Sequence, residues 1–358
     1  MSNQFHPLRI VDVSRETDEA IALTLEPDGA DLEFFDFKAG QHLILRREIG
    51  GDDIRRNYSL FVSPDEGTLR VAIKRIAGGV FSSWAVSELK AGDTIEAMTP
   101  RGHFTWTFSP DQRRNYVAFA GGSGITPILS LVKTGLRVEP DSQFVLLYGN
   151  RTSASIMFLE DIAALKDRYL DRLQVYHFLD SEADDIELFN GRLDRERVSE
   201  LLETLVDPAQ IDAAFICGPG PMMDTAEAAL QEAGVDPDVI MVERFSAGRP
   251  AGAEAAEAEA ASRQAEGLMI EVSIDGRRRA VAFDAAEGNI LDSARAAGLP
   301  APFACKAGVC ATCRARLVSG EVRMLANYGL SKEEVAAGYV LTCQAVPIGE
   351  GVVVDYDA

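Results

Sequence analysis

Histidine is scarce. His6, His42, His103 and His177 stand alone in their stretches of chain, too few and too scattered to build a His-rich zinc or diiron centre. Positive charge is short as well: 35 Lys and Arg face 56 Asp and Glu, a formal net charge of −21. A surface this acidic repels phosphate backbones and anionic lipid, so neither nucleic acid nor a membrane is an expected partner. No apolar run approaches the about 18 residues of a membrane span, and the opening MSNQFHPLRI lacks a basic–apolar–small export pattern. A cytoplasmic location is therefore expected. What is present is ordinary for a globular protein: 47% hydrophobic and 25% charged residues over 358 positions. At roughly 100–200 residues per domain, that length suggests two or three domains.

Four of the five cysteines lie beyond residue 300: Cys305, Cys310, Cys313 and Cys343. The first three spell C-x4-C-x2-C, with the fourth distant. This is the spacing at which one tight loop and a remote thiolate hold a plant-type [2Fe–2S] cluster. Gly308 inside CKAGVCATC lets backbone amides turn toward cluster sulfurs. Disulfides compete poorly without an export signal, and structural zinc usually takes two C-x2-C pairs where this chain has one. Around the cysteines, LMIEVSI and RRRAVAF flank the turn Asp275-Gly276 as a hairpin. ILDSARAAG reads as a helix stopped by Gly298, Pro300 and Pro302, and RARLVS and YVLTCQAV read as strands. A β-grasp [2Fe–2S] domain over 268–358 is expected.

Upstream, residues 247–267 are nearly all Ala, Glu, Gly and Pro, without apolar periodicity. They read as a linker, partly helical, that buries nothing. Residues 1–112 show short β-like runs between Gly, Pro and Asp turns, as in an antiparallel β-barrel. Residues 113–246 alternate strands (NYVAFA, FVLLY, LQVYHF, AAFICG, VIMVERF) with helical stretches, the rhythm of a parallel α/β sheet.

Four motifs in these regions carry chemistry. Arg56-Asn57-Tyr58-Ser59 lies on a strand, and Gly78-Gly79-Val80-Phe81-Ser82-Ser83 runs into a helix start, an anion site suited to a pyrophosphate. Together they suit a flavin, although an Arg and a Tyr on a strand are also ordinary packing and surface residues. Gly121-Gly122-Ser123-Gly124-Ile125-Thr126-Pro127 and Cys217-Gly218-Pro219-Gly220-Pro221 each follow a strand and open a helix, so both glycine turns face one crevice of an open sheet. The first is also compatible with a plain βα turn, and Cys217 with a core thiol. Arg151 after the second strand suits the 2′-phosphate of NADP, or is a solvated surface cation.

RNYS, IKRIAGGVFS, GGSGITP and CGPGPMM occur in the order of the ferredoxin–NADP reductase family, which residues 1–245 resemble; residues 268–358 resemble a plant-type ferredoxin. Several oxygenase reductases share this order. The strings LLYGNRTSASIMF, AAFICGPGPMMD, VERF, CKAGVCATCRARLVSGEV and AAGYVLTCQAVP are similar to their phenylacetyl-CoA epoxidase branch. The resemblance implies that Arg56, Tyr58 and Ser59 hold FAD, Tyr58 packing on the isoalloxazine and Ser59 lying near N5. Lys74 would lie along the flavin, and Gly79, Phe81 and Ser82 would cradle the pyrophosphate. Gly122, Gly124 and Thr126 would take the NADPH phosphates, Arg151 the 2′-phosphate, and Cys217, Gly218 and Pro219 the nicotinamide end. Ser59 and Cys217 would be the residues at the reacting atoms. Phe245 is offered the place of the aromatic residue with which plant-type enzymes end, though this chain runs on past it. Cys305, Cys310, Cys313 and Cys343 would bind the cluster.

The implied activity is electron transfer from NADPH through FAD and the cluster to a separate diiron oxygenase that epoxidises phenylacetyl-CoA. Lys306, Arg314 and Arg316, in or just after the cluster loop, offer that partner a basic docking spot, or are ordinary surface charges. Two other readings stand beside it: the reductase of another oxygenase, such as a Rieske or steroid hydroxylase, and a non-catalytic assembly subunit whose cysteines bind zinc.

Overall fold

Alternation of apolar and polar residues drives the first part of the chain into strands. Burial alternates from His6 to Ile10 along β1 (His6–Thr17), which is followed by β2 (Ala20–Pro27), β3 (His42–Ile49), β4 (Asp52–Ser59) and β5 (Leu69–Lys74). Helix α1 (Val80–Glu88) then precedes β6 (Thr94–Arg101). The order is β4-β3-β6-β1-β2-β5, all antiparallel, and a bridge between Leu60 and Val71 joins the two outer strands and closes a barrel. Leu8, Ile10, Leu23, Leu43, Leu45 and Val71 fill it without solvent contact. The computed structural model describes residues 4–182, 189–245 and 253–358.

The next elements alternate: β7 (Asn115–Gly121), α2 (Ile125–Val138), β8 (Gln143–Asn150), α3 (Leu159–Arg168), β9 (Leu173–Leu179), α4 (Arg195–Thr204), β10 (Ala213–Cys217), α5 (Gly220–Glu232) and β11 (Ile240–Glu243). They form a parallel sheet in the order β11-β10-β7-β8-β9. The centre of the sheet is covered on both faces, which explains why AAFIC in β10 is buried throughout. β7 comes first in the chain yet lies mid-sheet, so the winding reverses between β7 and β10 and opens a crevice at their carboxyl ends. Glu139, fully buried just after α2, accepts hydrogen bonds from Tyr116 Oη (2.8 Å), Ser142 Oγ (2.6 Å) and the Ser109 amide (3.0 Å). It thereby fixes the segment between barrel and sheet.

The chain divides into two compact units, residues 2–243 and 244–358. The second contains α6 (Ala253–Gln264), β12 (Met269–Ile274), β13 (Arg277–Ala282), α7 (Ile290–Ala296), β14 (Arg314–Ser319), β15 (Val322–Met324), α8 (Lys332–Ala336), β16 (Tyr339–Leu341), β17 (Ala345–Pro347) and β18 (Val352–Asp355). Its main sheet runs β13-β12-β18-β14-β16, with β15 and β17 paired apart. Asp275 (φ 51°) and Gly276 (φ 69°) are both left-handed in the β12–β13 turn, the geometry that a two-residue hairpin connection of this sequence favours.

The stretch 247–267 departs from its expectation. Residues 247–252 lie outside the described residues, but Ser262 and Ala265 are buried in the second unit, and Ala261 packs on its core. Ala261 and Ala265 are four apart, so their methyl groups share one helical face, and their small size lets α6 lie close. Ser262 Oγ donates to the Gly288 carbonyl (3.3 Å). Among the described residues, no helix is long and apolar enough to cross a membrane.

Candidate functional site

The register of β3 against β4 sorts the Arg56–Ser59 strand into two faces. Leu43 opposes Tyr58, whereas His42 opposes Ser59 and Ile44 opposes Asn57. Directly opposed residues share a face, and successive residues alternate. Tyr58 is half-buried against the barrel core, its ring 5.6 Å from that of Phe81. Ser59 and His42 are buried on the other face with no hydrogen-bond partner for Ser59 Oγ or for either imidazole nitrogen, and both polar atoms of the Asn57 side chain are likewise unsatisfied. Unpaired buried polar atoms are costly, so such a cluster marks the contact face of a ligand rich in donors and acceptors. The ring edge of FAD has that chemistry, and these residues fit it.

The α/β sheet meets this face. Cys217 and Glu243 are register partners at the ends of β10 and β11, and Glu243 Oε1 lies 3.7 Å from His42 Nδ1. The contact is not an ion pair at neutral pH. Burial first, then Arg101 and His103, lowers His42 to about 3, while burial raises Glu243 to about 8. Burial, with Glu243 adding to it, also pushes the Cys217 thiol up. All three groups are therefore neutral at the crevice.

This predicts a pH signature. Glu243 binds its proton more tightly in the folded chain, so its contribution to stability is complete below its ordinary value of 4.5 and is lost as pH rises through about 8. His42 acts oppositely and only below its ordinary 6.5. Between about pH 6.5 and 8, the Tm of the full chain should fall as pH rises, and Glu243→Gln should flatten that slope. An unchanged slope in the variant would refute the assignment.

The phosphate-binding candidates are arranged as follows. Gly79 caps α1 with no side chain satisfying the first-turn amides, and a Cβ there would meet Ser82 Oγ at 2.6 Å. Ser82 Oγ itself accepts from the Ile76 amide (3.1 Å), so its hydroxyl shapes the loop. Thr126 is similarly occupied, its hydroxyl donating to the Ser123 carbonyl (3.0 Å). Gly122 adopts φ 52°, and a Cβ on Gly124 would fall 2.1 Å from the Cys217 carbonyl oxygen. The two glycine turns thus touch backbone to backbone. A cavity of about 650 Å³ opens beside them, lined among others by Lys74, Gly122, Arg151, Asp180, Arg192 and Pro219. Arg151 pairs with Glu19 (2.6 Å) and Arg192 with Asp180 (3.1 Å). Burial, and then Arg151, lowers the Lys74 ammonium. Gly218 packs within 3.0 Å of Gly121 when given a Cβ, Arg56 is exposed on β4, and Phe245 follows β11 just beyond the division between the units.

In the second unit the cysteines stand in two pairs. Cys305 and Cys310 are linked by amide contacts, Cys310 N to Cys305 Sγ (3.4 Å) and Cys305 N to Cys310 Sγ (3.5 Å), and the Ala307 amide also points at Cys305 Sγ (3.3 Å). Cys313 and Cys343 form the other pair. Within each, the partner thiol favours one thiolate, Cys305 lowering Cys310 to about 6 and Cys313 lowering Cys343 below its ordinary range. Lys306 (φ 53°), Gly308 (φ 73°) and Ala311 (φ 52°) are left-handed, and the two non-glycine residues carry strain that turns the loop inward. Among the described residues no three His, Cys, Asp or Glu side chains converge as one metal ion requires. Two pairs suit two irons, so the donor set fits a [2Fe–2S] cluster better than a tetrahedral zinc.

The expected basic docking spot is weaker than its sequence. Lys306 pairs with Asp292 (2.6 Å) and Arg314 with Glu334 (2.6 Å), so two of its three cations are compensated inside the unit. Sequence reasoning gave no role to Asn57, His42, Glu243, Asp180 or Arg192, although RNYS contains Asn57 and VERF contains Glu243.

The family model for the oxidoreductase FAD-binding domain matches residues 8–106, that for the oxidoreductase NAD-binding domain residues 119–228, and that for the 2Fe-2S iron-sulfur cluster binding domain residues 272–347. The chain is 42% identical to a component of the 1,2-phenylacetyl-CoA epoxidase of Escherichia coli (strain K12), over 99% of this chain and 98% of that protein. It is 34% identical to the ferredoxin reductase component of a 3-ketosteroid-9-alpha-monooxygenase of Mycobacterium tuberculosis, over 98% and 95%. Phthalate dioxygenase reductase shares its fold, with a TM-score of 0.61 at 24% identity, covering 99% of this chain and 98% of that one. The barrel, the doubly wound sheet and the paired thiols are thus the FAD-, NAD- and [2Fe–2S]-binding domains of an oxidoreductase, and the chain belongs to the ferredoxin–NADP reductase family in its form with a plant-type ferredoxin domain.

Proposed function

We propose that this chain carries electrons from NADPH, through FAD and a [2Fe–2S] cluster, to diiron oxygenase subunits that epoxidise phenylacetyl-CoA. The observation that carries the electron path is the meeting of the Ser59–His42 face of the barrel with the Cys217–Glu243 end of the sheet, in one crevice beside the two glycine turns. The choice of acceptor rests on 42% identity across nearly the whole chain. We read the domains as 1–112, 113–246 and 268–358, with a linker at 247–267 whose end packs on the last of them, in a cytoplasmic protein.

Bound FAD supplies the change from paired to single electrons that joins a hydride donor to a one-electron cluster. The chain's own residues position and exclude. Tyr58 offers a ring and Arg56 a cation to the flavin, while Ser59, Asn57 and His42 give its edge hydrogen bonds they make nowhere else. Gly79 and Phe81, with Ser82 shaping the loop, leave the α1 amides free for the pyrophosphate. Lys74 lies along the flavin, and Gly122, Gly124 and Thr126 take the NADPH phosphates. Cys217, Gly218 and Pro219 border the nicotinamide, and the neutral Glu243 and His42 keep fixed charge out of the crevice. Arg151, with Arg192, receives the 2′-phosphate in exchange for Glu19. Cys305, Cys310, Cys313 and Cys343 hold the cluster.

The test is NADPH oxidation with and without the diiron oxygenase and phenylacetyl-CoA. Oxidation coupled to epoxide is expected, with NADPH preferred over NADH, and Arg151→Ala should cut that preference about tenfold, the worth of roughly one charge-assisted contact. Coupling only to a Rieske or steroid hydroxylase would move the chain to that class, and a colourless protein containing zinc would end the redox reading.

A further inference from the structure

The two cysteine pairs are held by different means. Cys305 and Cys310 share one loop whose amides point at their sulfurs. Cys313 and Cys343 come from separate strands: Cys313 precedes β14, Cys343 follows β16, and the last register pair between those strands is Arg314 with Leu341. What sets their separation is Thr342. Its amide (3.2 Å) and its hydroxyl (2.8 Å) both donate to the Cys313 carbonyl, and its own carbonyl accepts from the Leu291 amide (3.0 Å). Thr342 is fully buried, its carbonyl accepts a second, longer bond from the Ala345 amide (3.4 Å), and its hydroxyl meets one further group.

That group is Tyr356. Its hydroxyl donates to Thr342 Oγ1 at 2.7 Å, completing a chain from the phenol through the threonine hydroxyl to the ligand's carbonyl. Each bond polarises the next, and the phenol fixes the one rotamer in which Thr342 reaches Cys313. Tyr356 is anchored on both sides: its amide donates to the Ser273 carbonyl (3.0 Å), and Asp357 accepts from the Asp275 and Gly276 amides of the hairpin turn (2.9 and 2.8 Å). Its ring packs on the core of the unit.

We infer that Tyr356 is a positioning residue for the cluster, acting through Thr342 to hold Cys313 against Cys343 and so setting the environment of the iron those two thiolates bind. The inference rests on the reading that these four cysteines bind a [2Fe–2S] cluster. It assigns a role to a tyrosine 43 positions from Cys313, outside every cysteine motif.

The full chain carrying FAD and cluster provides the test. Tyr356→Phe keeps the ring and removes only the hydroxyl. It should release iron to a chelator about fivefold faster, the worth of one net hydrogen bond, and should alter the electron paramagnetic resonance spectrum of the reduced cluster. FAD content and NADPH-driven ferricyanide reduction should not change. Thr342→Val should act in the same direction, and the double variant should be no worse than Thr342→Val alone, because both act on one chain of bonds. Asp357→Asn, which loosens the anchor but not the relay, should lower Tm while leaving the spectrum intact. Tyr356→Phe with wild-type spectrum and release rate would overturn the inference; a wild-type protein that holds no iron would instead remove the cluster reading beneath it.

Discussion

Replacing Cys310 by Ser will separate the two halves of the electron path. The hydroxyl keeps the size of the thiol but not its affinity for iron, and Cys310 is the thiol that its partner Cys305 draws down toward thiolate at neutral pH. Outer-shell changes at metal sites already cost 10–100-fold, so loss of a ligand should lower electron delivery to an oxygenase by more than about 100-fold. The residues proposed to hold FAD and NADPH all precede position 246, and the chain's first unit ends at 243. NADPH-driven reduction of ferricyanide should therefore survive with FAD content unchanged. Parallel loss of both activities would show that the units are not independent in this sense.

The second large effect is Gly124→Ala. A methyl group there falls 2.1 Å from the Cys217 carbonyl oxygen, 2.4 Å from its carbon and 2.8 Å from the Gly218 amide nitrogen. All three are backbone atoms, so no rotamer change relieves the clash. The start of α2 must move away from the end of β10, the contact that shapes the crevice. Overpacking of side chains costs about 1–3 kcal/mol, and a clash with backbone lies at or beyond the upper end. NADPH affinity should fall at least about tenfold as the two turns separate. Gly29→Ala, outside both turns and with nothing within 4 Å of the added methyl, is the control and should bind NADPH normally. Normal binding by Gly124→Ala would mean that the turns do not form the nucleotide site.

These two sites differ in how legible they were. The cluster loop is a local matter, because C-x4-C-x2-C puts three thiols on one turn, and the spacing alone carries the chemistry. The glycine turns and the alternation of strands and helices were equally plain, since periodicity and turn residues are local properties. Residues that become functional through register were not visible. His42 matters because it opposes Ser59 across β3 and β4 and meets Glu243 from another domain, and no short-range pattern encodes either fact. Asp180, just after β9, and Arg192, just before α4, come to line one cavity in the same way. Local reading also does not show where a side chain's own bonds go. Ser82 and Thr126 spend their hydroxyls on their own loops, and Lys306 and Arg314 are compensated by acids 14 and 20 positions away. The Ala/Glu-rich stretch looked incapable of burial because its apolar face consists of alanines, whose contribution depends on close approach rather than on size.

The central claim is that one polypeptide takes electrons in pairs and stores them on both a flavin and a one-electron cluster. Anaerobic titration of the reconstituted protein with NADPH, followed by absorbance, counts them directly. Full reduction should require about 1.5 equivalents per chain, two electrons for the flavin and one for the cluster. An end point at about one equivalent, with the cluster absorbance unchanged, would contradict it.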